Sequence, residues 1–142
     1  MPSAREQFFA QEMLAIVGNS DLGPFPGQLY AELRGLVREV YPVDLGGSRY
    51  VQGDEAFASL ADLPVTRVDG VIISLPRHKA PDVVDEMVQL GIKQLWLQGG
   101  HTPELQQICD QNGITIHSGN ARVYTRPGFS LGRTLLKLIG RY

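Results

Sequence analysis

The stretch Met13–Gly27, MLAIVGNSDLGPFPG, decides the fold, because an apolar run breaks abruptly into glycine, small polar residues and further glycines. Such a run reads as a buried β-strand. The loop after it feeds a helix N-terminus, whose unpaired N–H groups and dipole attract anions. The segment therefore points to a phosphate-bearing, nucleotide-like ligand. Its glycines, Gly18, Gly23 and Gly27, are spaced GxxxxGxxxG, so the GxGxxG fingerprint lacks its second glycine, where Ser20 stands. No Gly-Lys-Ser/Thr follows, which excludes a Walker-type loop.

Outward from this stretch, strand signals alternate with helix signals. Ser3-Ala4-Arg5-Glu6 has the form of a capping box and predicts a short helix through about Gln11. Leu29, Leu33, Leu36 and Val37 keep a helical rhythm over 28–38. Val40 to Val43 reads as a strand ending at Asp44, followed by a Gly46-Gly47-Ser48 turn. Residues 50–63 read as a short strand and a half-helix. Val71 to Leu75 is the next strand, and Val83, Val84, Met87 and Val88 form one stripe of a helix over Ala80–Leu90, with Gly91 at its C-cap. Leu95 to Leu97 is a further strand. Thr102-Pro103-Glu104 then opens a helix that turns Leu105, Ile108 and Cys109 to the core and stops at Asn112-Gly113. Ile114 to Ile116 is the last strand, and a final helix falls near Leu131 to Ile139. This alternation predicts an α/β fold with a doubly wound, mainly parallel sheet in a Rossmann-like three-layer sandwich.

The chain has 142 residues, the size of one domain with a real core. Its net charge of −2 argues against non-specific nucleic-acid binding, yet no acid follows Asp110 while Arg122, Arg126, Arg133, Lys137 and Arg141 do. This basic arm reads as a solvated face or a partner of the acidic body, as a phosphate clamp, or as a docking surface. No apolar run is long enough to span a bilayer, so no membrane partner is expected. The lone cysteine, Cys109, agrees with a reducing, cytoplasmic setting.

In a doubly wound sheet the ligand lies beyond the carboxyl ends of the strands, near the switch in strand order. The exits here are Gly18-Asn19-Ser20, Asp44, Ser74-Leu75-Pro76, Gln98-Gly99-Gly100 and Ser118-Gly119-Asn120. Nearly all carry glycine, a small hydroxyl or an amide, which admit a ligand close to the backbone. Catalytic chemistry has little support. Cys109 falls on a core stripe, and Asp82, Asp85 and Glu86 read as solvent-facing charges of their helix. His78, His101 and His117 all lie near strand exits, but their spacing gives no metal motif, and neither a catalytic residue nor a metal ligand is assigned.

The IVGNSD loop, the VYPVD strand end, the SLADLP segment, the SLP exit and the WLQGG strand end occur in an order and spacing that resemble the coenzyme A-binding Rossmann domains. That family includes small free-standing proteins and the front of the α-subunits of succinyl-CoA synthetase and ADP-forming acyl-CoA synthetases. The capping box predicts a helical extension over 1–12, the resemblance implies the binding domain over 13–124, and the apolar stripe near Leu131 to Ile139 predicts a basic amphipathic helix over 125–142 that offers a homodimer contact. The resemblance implies that Gly18, Asn19 and Ser20 hold the pyrophosphate, with Gly23 and Gly27 allowing the tight turn. Ser74 and Pro76 would border the nucleotide and the pantetheine arm, and Gln98, Gly99 and Asn120 would line the far side. It implies binding without catalysis, since the synthetases' phosphorylated histidine lies outside this domain.

Two departures from the family stand out. Relatives carry a lysine after the second strand to meet the coenzyme's 3′-phosphate, whereas this chain reads Asp44-Leu45-Gly46-Gly47. Asp44 is instead what an NAD site uses to accept from a ribose, or it is a turn former before Gly-Gly. Arg49, or Arg77 and Lys79, would then supply the cation. At the last strand exit the family's cysteine is missing, and Arg122 either reaches a phosphate or base or is solvated. Three readings follow: a small-molecule binding module for coenzyme A or an acyl-CoA, an NAD(H)-binding or redox-sensing module, and a protein-interaction domain with an empty pocket.

Overall fold

In the computed structural model, which describes residues 3–125, the chain builds a parallel sheet around its first strand. That strand, β1 (Met13–Gly18), pairs with β2 (Glu39–Asp44) on one side and β5 (Gly70–Ile73) on the other. β6 (Gln94–Gln98) and β7 (Thr115–Gly119) continue the sheet, giving the order β2-β1-β5-β6-β7 with every pair parallel. The chain first winds outward to β2 and then crosses back to β5. The switch point therefore lies between the ends of β1 and β5, beside Gly18 and Ser74.

The period-2 alternation of β1 divides the core. Leu14 and Ile16 face α1 (Ala4–Phe8) and α2 (Gly27–Leu36), while Ala15 and Val17 face α3 (Ala80–Leu90) and α4 (Pro103–Gln111). Both faces are covered, so the strands read as continuous apolar runs. On the first face Trp96 is fully buried and donates its indole N–H to the Gly119 carbonyl at 3.1 Å. Phe8, Phe9, His117 and Tyr124 ring it, with centroids 4.9–6.0 Å away. Each such buried aromatic contributes about 1.5–3 kcal/mol through removal from water. This cluster pins α1 and the four-residue α5 (Arg122–Thr125) to the sheet.

The observed element limits follow hydrogen bonding more than periodicity. The Ser3 capping box forms, but α1 stops at Phe8. α2 ends at Leu36 because Val37 is already extended on its way into β2. α3 covers its expected span, and Gly91 caps it in the left-handed region at φ 73. Thr102 caps α4 by accepting from the Leu105 N–H. The last strand extends beyond Ile116 to Gly119, because its pairing with β6 runs on to Gln98. Residues 50–63 hold no half-helix. They form a two-stranded antiparallel hairpin, β3 (Tyr50–Val51) with β4 (Asp54–Glu55), and then a 3₁₀ turn over Leu60–Asp62. The helix expected near Leu131 to Ile139 lies outside the described residues.

Candidate functional site

At the switch point the strand ends open into a cleft of about 160 Å³. Asn19, Leu22, Gly23 and Pro24 form one wall, Ser74, Leu75 and Pro76 the opposite one, and Gln98 closes the end. Of the expected ligand residues, Asn19, Gly23, Ser74, Pro76 and Gln98 thus meet in one place. Among the described residues no charged side chain lines the cleft. Its polar groups are uncharged amides and a hydroxyl set among proline and leucine, a lining suited to an amide-bearing, partly apolar chain.

The other glycine-loop residues have different work. A Cβ on Gly18 would stand 2.9 Å from both the Phe25 ring and Pro26, so this glycine makes room for the protein's own side chains. A Cβ on Gly27 would stand 2.7 Å from the Gln52 amide. Gln52 (φ 50) and Gly53 (φ 83) form the tip of the β3–β4 hairpin, whose paired left-handed residues suit a type I′ turn. The hairpin is tied to α2 by Asp54, which accepts from the Tyr30 hydroxyl at 2.6 Å and pairs with Arg34. Burial, reinforced by Asp54, pushes the Tyr30 hydroxyl up to about 12. The N-terminus of α2 therefore carries Gln52 beside its first residue.

Asp44 also faces inward. Its side chain is fully buried, and Oδ1 accepts the backbone N–H groups of Ser20 and Gly46, each at 2.9 Å. Oδ2 accepts from the Ser48 N–H at 3.3 Å. Burial alone would raise this carboxyl, but the donors from Ser20, Ser48 and Gly46 outweigh it and hold it below the ordinary aspartate range. With no exposed surface, Asp44 has no edge to offer a ribose. The turn-forming role is the one observed. Ser20 is drawn the same way, its hydroxyl 3.3 Å from that of Ser48, so it leaves the cleft to Asn19. The amides of Asp21 and Leu22 are engaged by Asn19.

On the far side, Gln98 fixes the last strand exit. Its Oε1 accepts the Ala121 N–H at 2.8 Å, and its Nε2 donates to Asn120 Oδ1 at 3.1 Å. Gly99 bridges to Gly119. Asn120 and Gly99 thus brace Gln98 from behind the cleft. Arg122 is half-exposed and turned to a carboxylate: its guanidinium donates to Glu32 at 2.9 Å, and Thr125 donates to the same carboxylate at 3.1 Å. Arg77 lies just past the cleft, over Gly100. A separate hollow of about 220 Å³ beyond the Asp44-bound turn is lined by Ser48, Arg49, Tyr50, Glu55 and Ala56. Neither Arg49 nor Arg77 has an ion-pair partner among the described residues.

The remaining candidates divide plainly. Cys109 is fully buried in the α4 stripe, and burial pushes its thiol up to about 11, out of nucleophile range. Glu86 is not a free surface charge, since it accepts from the Leu60 and Ala61 N–H groups and holds the 3₁₀ turn. Among the described residues no three of His, Cys, Asp and Glu come together as metal ligands. No helix among them is long and apolar enough to cross a membrane. Reasoning from sequence missed Gly46, where a Cβ would meet Ser20 and Asn19, as well as Gln52 and Glu32. Gly46 carried the signal of a Gly-Gly turn and Gln52-Gly53 that of a hairpin turn, while Glu32 carried none.

A family model for the CoA binding domain matches residues 12–122, and the chain belongs to that family. Solved structures share the fold at low identity. Prb, a protein redesigned for binding, is 21% identical with a TM-score of 0.74, each chain covered to 90%. A hypothetical protein from Pyrococcus horikoshii is 18% identical with a TM-score of 0.71, covering 94% of this chain and 89% of that one. A Thermus thermophilus protein, ID.343, is 22% identical with a TM-score of 0.70, covering 96% of this chain and 99% of that one. No curated protein matches the sequence.

Proposed function

We propose that this chain binds coenzyme A, free or acylated, without transforming it, and acts in the cytoplasm as a carrier, a sensor or the partner of a separate enzyme. The observation that carries this reading is the cleft at the switch point, lined among the described residues by uncharged groups, in a chain that belongs to the CoA binding domain family. Asn19 Nδ2 and the Ser74 hydroxyl are donors for the diphosphate end and the amides of the arm, while Leu22, Pro24, Leu75 and Pro76 pack its methylene and gem-dimethyl groups. The arm runs from Asn19 toward Gln98. The adenosine end extends over the Asp44-bound turn to the hollow at Arg49, whose guanidinium takes the place of the family's lysine opposite the 3′-phosphate.

The NAD reading rested on Asp44, and the inward carboxylate removes that support. Titration calorimetry with coenzyme A, dephospho-coenzyme A and NAD tests the proposal. The expected order is coenzyme A tighter than its dephospho form, with NAD weakest, and Arg49→Ala closes the gap between the first two. Heat from NAD alone, or from none of the three, overturns it.

A further inference from the structure

At its Gln98 end the cleft leads past Leu75 into a nook beneath Arg77 and His101. The nook encloses about 10 Å³, room for one water-sized group. His101 Nδ1 is buried there and has no hydrogen-bond partner among the described residues.

The tautomer of that ring is set by Gln106 on α4. Gln106 Nε2 donates to Asp110 Oδ1 at 2.9 Å, which turns Gln106 Oε1 toward His101. His101 Nε2 is 2.9 Å from that oxygen and therefore carries the hydrogen. With the hydrogen on Nε2, Nδ1 is a bare acceptor on a side chain that lines this one-group space. A buried acceptor left unpaired is costly, so its presence beside a binding cleft calls for a donor that arrives with the ligand.

We propose that His101 Nδ1 accepts a hydrogen bond from the terminal thiol of the bound coenzyme, so that the chain selects the free thiol over its thioesters. The inference rests on the coenzyme reading above. A thioester has no hydrogen on sulfur, and its carbonyl and acyl carbons exceed the nook. Arg77, whose guanidinium comes within 3.2 Å of where a Cβ on Gly100 would stand, adds a positive charge that polarises the sulfur further.

The test is calorimetry on the full chain with coenzyme A, acetyl-coenzyme A and desulfo-coenzyme A, the last keeping both amides of the arm but lacking the thiol. Wild-type protein binds coenzyme A roughly tenfold more tightly than either analogue, the worth of one buried hydrogen bond. His101→Leu binds the three alike, and His101→Asn, whose Oδ1 stands near the place of Nδ1, keeps the preference. Equal wild-type affinities for coenzyme A and the analogues overturn the inference without need of any variant and leave the coenzyme reading intact. A preference that survives in folded His101→Leu overturns it too. Failure of all three ligands to bind wild-type protein overturns the coenzyme reading and this inference together.

Discussion

The Asp44 carboxylate accepts the Ser20 N–H at 2.9 Å, and this bond makes one body of the loop after the first strand and the turn after the second. The same carboxylate holds Gly46 and Ser48. The edge of the cleft is therefore built from β2 as well as β1, although no β2 residue lines it. An acid that sequence spacing offers to a ligand acts here as the internal brace of the site.

Asp44→Asn should lower stability by about 1.5–3 kcal/mol, because hydrogen bonds to a charged acceptor are lost and an amide N–H₂ is turned against a backbone donor. Urea denaturation at neutral pH measures it. The wild type should also lose stability in acid through this group. Its folded pKa is depressed, so the contribution is complete above the ordinary aspartate value of about 3.9 and is lost as pH falls through the lower folded value. Asp44→Asn should flatten that limb. An unchanged acid limb would place the loss in other carboxylates.

Gly18→Val should destabilise the fold by about 1–3 kcal/mol through overpacking, since even its Cβ meets Phe25 and Pro26 at 2.9 Å. Ligand affinity should fall as a consequence, because Pro24, the neighbour of Phe25, forms a wall of the cleft. Denaturation midpoints and calorimetry on the same samples separate the two effects. Lost binding with unchanged stability would put the ligand, and not Phe25, against Gly18.

Much of the fold was legible because it is local. The apolar run of β1, the stripe of Val83, Val84 and Met87, the Gly91 cap and the Thr102-Pro103 start each announce themselves within a turn or two of chain. The site was legible only as a set of strand exits. Glycine spacing says that something approaches the backbone closely, but it does not say what. At Gly18 it is Phe25 and Pro26, and at Gly27 it is Gln52 from a hairpin too short to show any periodicity. The inward turn of Asp44 depends on amides at Ser20, distant in sequence, which no local pattern reveals.

Glu32→Ala should loosen α5. The Glu32 side chain is only 9% exposed and takes both the Arg122 guanidinium and the Thr125 hydroxyl, so it joins α2 to the end of the described chain. Amide hydrogen exchange at Arg122–Thr125 should quicken and the melting temperature should fall. Unchanged exchange there would mean that the packing of Tyr124 on Phe9 and Trp96 holds α5 without help from Glu32.

His117 should make stability pH-dependent just below neutrality. Its ring stacks on Trp96 with centroids 6.0 Å apart and meets the edge of Phe8 at 5.8 Å, and Arg5 lies over the same indole. Burial, and after it the Arg5 charge, lowers its pKa from the usual value. The unfolded chain then takes up the proton first, near pH 6.5, while the folded form resists it. Stability should fall as pH drops from about 6.5 toward the lower folded value. His117→Phe keeps the stacking without the titration, so its melting temperature should change less between pH 7.5 and pH 5 than the wild type's, at matched ionic strength. Equal slopes for the two proteins would show that α1 is docked against an imidazole that charges as freely in the fold as outside it.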